Sequence, residues 1–171
     1  MLELWKTTTL GQFEAALCTL GRCIDACPDE AWDAPVANLS FCQAAFHALF
    51  FVDCYLSVDT DAMLAQAFHR EHAAMFRDYE EMEDRAQVLM YSRDQIGAYM
   101  GFCREKAVEV ITGETEETLA GPSGFYWLEF PRAGIHMYNL RHIQHHAAAL
   151  SLRLRLDHGI EIRWVKDGWM A

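Results

Sequence analysis

Apolar residues along this chain recur mostly at helical intervals. Leu10, Phe13, Leu17, Leu20, Ile24 and Cys27 are spaced 3, 4, 3, 4 and 3 apart, the seam of a helix of about five turns. A threonine run leads into it and Pro28 stops it. A loop with Trp32 and Pro35 follows, and Ser40 is placed to cap a second helix over 41–57. That helix is apolar nearly all round, with Asp53 its only charge, so it belongs at the centre of the fold or under a second subunit. Residues 61–83 carry a weaker helical pattern, short or broken, with charge on one side. Ser92-x-x-Gln95 is a capping box opening the next long helix, whose seam is Ile96, Met100, Cys103, Ala107 and Val110 and which ends before Gly113. Glycines and prolines make 113–132 a loop, although Phe125, Tyr126, Trp127 and Phe130 within it need packing partners. The last long helix is expected over 135–157 with Gly159 past its end. The tail alternates Ile160, Ile162 and Trp164, as a short extended piece would. Four long helices without strands predict an all-α four-helix bundle, with an extra short helical segment between the second and third long helices. No linker interrupts it, so 1–171 is expected to be one domain.

Composition narrows the function. The 171 residues are 52% hydrophobic and carry a formal charge of −11, which argues against disorder and against nucleic acid or anionic membrane as a partner. The acid gathers in DYEEMED (78–84) and ETEE (114–117), expected to be solvated faces and loops. Six cysteines stand in apolar segments without a CxxC pair and read as reduced core thiols. No signal peptide is visible at MLELWKTTTL, and AAFHALFFV (44–52) is too short to span a bilayer. A soluble, cytoplasmic protein is expected.

The histidines carry the chemistry. On the last helix Leu140, Ile143, Ala147, Leu150 and Leu154 define the core stripe. With Ile143 as its centre and about 100° per residue, His146 lies roughly 60° and His142 roughly 100° away on one flank, while His145 lies roughly 160° away. His142 and His146 thus form an i, i+4 pair at the core's edge, able to converge on one metal ion, and His145 faces water. Two half-exposed surface histidines would explain the spacing equally well. His47 bears on the choice, because it sits in FCQAAFHALFFV, where a buried imidazole needs partners for both ring nitrogens. A core histidine bonded to a carbonyl or hydroxyl is one reading; metal ligation with the other pair is the competing one. Three neutral histidines leaving a fourth position open is the arrangement of catalytic rather than structural zinc, and imidazole also suits Ni²⁺, Fe²⁺ and Cu²⁺. His69 and His72 are expected to be solvated, His158 to sit at a helix C-terminus, and His136 is left unassigned. HIQH lacks the zincin HExxH, Glu71 is misplaced for a di-iron Glu-x-x-His, and no GxSxG, P-loop or GxGxxG is present.

A histidine within an apolar second helix, followed by His-x-x-x-His and HHAAAL (145–150) on the last, resembles the DinB/YfiT-like family of metal-binding four-helix bundles. Arg141 and the Trp164-Val165 pair strengthen the likeness, which spans most of the chain as an order of helices but rests specifically on three histidines. Ala148 and Ala149 depart from the glycine and polar residue common after the family's histidine pair. The resemblance implies an up-down-down-up bundle, a divalent metal (Zn²⁺ or Ni²⁺) on His47, His142 and His146, and a homodimer. It implies function loosely: characterised relatives transfer or use low-molecular-weight thiols, while many have no assigned activity. The expectation is therefore a metal-dependent enzyme joining a small thiol to an electrophile. A metal hydrolase, a non-catalytic metal- or ligand-binding bundle and a metal-free helical dimer are the rivals. No general base is assigned; Asp53, Tyr138 and Gln43 are near ligands only in sequence.

Overall fold

A computed structural model describes residues 1–80 and 86–170. In chain order they form α1 (Leu2–Ala26), α2 (Asp29–Trp32), β1 (Pro35–Val36), β2 (Leu39–Ser40), α3 (Phe41–Leu56), α4 (Thr60–Leu64), α5 (Ala67–Glu71) and α6 (Ala73–Phe76). A 3₁₀ turn (Arg77–Tyr79), α7 (Arg93–Gly113), α8 (Glu116–Ala120) and α9 (Arg132–His158) complete the order. The long helices α1, α3, α7 and α9 make a four-helix bundle, with the short helices between them.

Capping sets the two central starts. Ser40 and Ser92 each accept from the backbone amide three residues on, and Gln43 and Gln95 reach back to the serine amides, so two otherwise orphaned N–H groups are satisfied at each helix. Gly159, at φ 67°, ends α9 as expected. Two starts come earlier than the pattern suggested. α1 begins at Leu2 because Thr9, in the β-branched run, is buried and Trp5 packs against the core; packing overrides weak propensity. α9 begins at Arg132, just after Pro131, a proline position that needs no amide hydrogen. The expected loop 113–132 contains α8, and α7 runs through Gly113. Two two-residue strands pair antiparallel, Pro35 with Ser40 and Val36 with Leu39. Among the described residues the tail forms no strand, but it buries Val165.

α1 and α3 each pack against both α7 and α9 and so stand diagonally opposite. Arg93, opening α7, donates to the carbonyls of Ile24 and Cys27 at the end of α1. Arg132, opening α9, donates to Leu56 and Ser57 at the end of α3. The rings of Trp5 and His136 meet at 5.3 Å, placing the starts of α1 and α9 together. These three ties make the order up, down, down, up. α3 is central, with fifteen of its sixteen residues buried and only His47 partly exposed. The six cysteines are buried and free of disulfides. Among the described residues no helix is long and apolar enough to cross a membrane.

Candidate metal centre

His47 lies in the second turn of α3, and His142 and His146 lie one turn apart on α9, the helix packed against it. One nitrogen from each ring falls within 4.8 Å of the other two. The ring centroids are 5.4 Å apart for His47 and His142, 4.7 Å for His47 and His146, and 4.4 Å for His142 and His146. The Nε2 atoms of His142 and His146 face each other at 3.1 Å. Zinc–imidazole bonds of 2.0–2.1 Å make the edge of a coordination tetrahedron about 3.3 Å, so the rings already stand at nearly that separation. All three are half-buried. His145 is exposed, as the helical angles predict, with its ring 5.1 Å from that of His146.

The surroundings favour neutral imidazole. Burial lowers the pKa of His47 to about 4. Burial, then the neighbouring His146, His47 and His145, lowers His142 to about 3. Burial, then His47 and His145, lowers His146 to about 4. At neutral pH the rings therefore keep the lone pairs that a cation needs. Phe51 lies 4.9 Å from His47 and 5.3 Å from His142, centroid to centroid, and Tyr55 lies 6.3 Å from His142, so one side of the triad is an aromatic wall. The Tyr79 hydroxyl stands 3.3 Å from His47 Nδ1 and holds that nitrogen, the kind of outer contact that orients a metal-ligating ring. Among the described residues three imidazoles converge with no carboxylate beside them, a donor set that suits Zn²⁺ and its borderline neighbours better than the oxygen-seeking Ca²⁺ or Mg²⁺.

Other polar groups are where the sequence reading did not put them. Asp53, fully buried, accepts from Gln66, His69, Tyr99 and Lys106. Burial opposes its charge, but the His69 hydrogen bond and the Lys106 cation outweigh it and hold the carboxyl below its ordinary pKa. His69, expected in solvent, is thus buried, its Nε2 2.6 Å from Asp53. His72 is half-buried, bonding the Phe68 carbonyl and stacking on the Phe68 ring. Within the two acidic stretches, Asp78 and Glu114 are buried rather than solvated. Asp78 accepts from the amides of Val88 and Leu89. Glu114 accepts from Arg132, His136 and Thr118. Residues 81–84 of the first stretch lie outside the described residues. In the aromatic loop Phe125 is buried, whereas Tyr126 is 94% exposed and packs on little. One signal for the missed network was in the sequence: a lone Asp53 on an apolar helix requires a cation and donors from elsewhere.

Comparison of the chain with models of protein families, with curated proteins and with solved structures finds no match. Its function has to be argued from the triad itself.

Proposed function

We propose that the chain binds one divalent metal ion, Zn²⁺ or Ni²⁺, through His47, His142 and His146, and that the metal serves an enzyme of the DinB/YfiT-like kind that transfers a low-molecular-weight thiol to an electrophile. One observation carries the metal: neutral imidazole nitrogens from two packed helices converge within 4.8 Å. Three protein ligands leave a position for an exogenous molecule. A divalent ion there supplies Lewis acidity, which favours the thiolate form of a thiol at neutral pH. The chain's own residues would do the rest. The three imidazoles hold the charge, Tyr79 fixes the His47 ring, and Phe51 and Tyr55 keep water from one side of the site. The chain is further proposed to act as a homodimer.

Protein purified without a nickel column should contain close to one metal ion per chain by elemental analysis. His142→Ala should lose it and His145→Ala should keep it. Metal-free wild-type protein, or retention by both variants, would sink the triad. Turnover on a panel of small thiols with electrophiles, against metal-stripped protein as control, tests the activity. Hydrolysis without thiol would replace transferase by hydrolase. Metal with no turnover would leave a binding protein.

A further inference from the structure

We infer that Asn139 is a positioning residue of the metal centre, holding His142 through its ring Nδ1; this rests on the metal reading above. His142 turns Nε2 toward the triad, 3.1 Å from His146 Nε2. A neutral ring that gives Nε2 to a metal carries its proton on Nδ1, and that N–H needs an acceptor. His142 Nδ1 is buried and has no hydrogen-bond partner among the described residues. Three residues earlier on α9, Asn139 has the complementary problem. It is fully buried, and its amide nitrogen donates to the Val52 carbonyl of α3 at 3.1 Å. That bond fixes which end of the amide faces α3, and the oxygen is left buried with no donor among the described residues.

A donor without an acceptor and an acceptor without a donor thus stand at i and i+3, where side chains are neighbours with Cβ atoms about 5–6 Å apart. Their chemistry matches when His142 carries its proton on Nδ1, the tautomer that leaves Nε2 free to ligate. One bound water between them would accept from His142 Nδ1 and donate to Asn139 Oδ1. His47 is steadied by Tyr79 and His142 by Asn139, one from the connecting segment and one from the ligand helix itself.

Zinc affinity, measured by competition with a chromophoric chelator, separates this from a packing role. Asn139→Leu keeps the volume and removes the acceptor; Asn139→Asp keeps the acceptor and removes the donor to Val52. A positioning role predicts about 10–100-fold weaker zinc binding in Asn139→Leu and near wild-type binding in Asn139→Asp. If Asn139 matters only through Val52, both variants weaken together. NMR of zinc-loaded wild-type protein gives a readout independent of either variant's folding: the His142 Nδ1 proton should be visible and slow to exchange. Wild-type affinity in Asn139→Leu, joint weakening of the two variants, or a rapidly exchanging Nδ1 proton would each overturn the inference while leaving the metal in place. A wild-type protein that binds no zinc overturns both.

Discussion

Asp53 is a fully buried charge in the bundle, and a well satisfied one. Its two oxygens accept from Gln66, His69, Tyr99 and Lys106, and the Lys106 ammonium also donates to Ser57, Gln66 and the Asp53 carbonyl. Removing one member strands the other: Asp53→Ala leaves a nearly buried ammonium without its counter-ion, and should cost about 3–5 kcal/mol in urea unfolding. A loss below about 1 kcal/mol would mean that Lys106 simply swings into water, since exposed pairs contribute about that. At this scale the sequence was legible where one helix decides the answer. The 100° step placed His142 and His146 together and His145 outside, and the structure agrees on all three. It was not legible where a partner comes from far along the chain. His69 looked solvated in a charged stretch because Asp53, sixteen residues back, cannot be paired with it by periodicity. Asn139 offered no signal either, since its role depends on which way α3 turns the Val52 carbonyl.

At the scale of elements, the long helices announced themselves by seam and cap, and the segments between them did not. Residues 58–79 form four short pieces that depend on α3 and α7 for their place: Gln66 and His69 reach Asp53, and Tyr79 reaches His47. A helix of four or five residues has no seam to read. The same holds for α8 and the loop after it, which Glu114 ties to the start of α9 through Arg132 and His136. At Gly124, with φ 90°, a side chain would run into the Val58 carbonyl, so the loop closes on the end of α3 only with glycine. Burial opposes the charge on Glu114, but hydrogen bonds from His136 and Thr118 and the Arg132 cation bring its pKa down to about 2. A carboxyl lower in the folded than the unfolded state stabilises above the unfolded value of about 4.3, and that stability is lost as pH falls toward 2. Its contribution is on the order of 3 kcal/mol. Glu114→Gln should therefore be less stable than wild type at pH 6, and the gap should narrow between about pH 4.3 and 2. Urea midpoints across that range check it. A constant gap would show that the charge at Glu114 is not what ties the loop to α9.

For the whole molecule, the decisive fact is the order in which the helices pack. Periodicity supplied four amphipathic helices, but any antiparallel arrangement buries four seams, and the ties from Arg93 and Arg132 and the Trp5–His136 contact distinguish up-down-down-up from the simpler alternation. In this order α3 and α9 are neighbours, and His47 meets a pair 95 and 99 residues later. The site is thus a property of the topology, and a metal bound there must couple to global stability, because the three histidines are not brought together in the unfolded chain. Zinc free at 100 times its Kd should add about 2.7 kcal/mol. For a domain of this length that raises the Tm by about 5–10 °C, less whatever the unfolded histidines bind. A thermal scan should show the rise in wild type and in His145→Ala, its reversal by a chelator, and its absence in His142→Ala. The contrast between the two substitutions is the essential part, because zinc adhering to surface histidines would stabilise both variants alike. An equal rise in His142→Ala would place the bound zinc elsewhere and leave His47, His142 and His146 as three neutral histidines packed for shape.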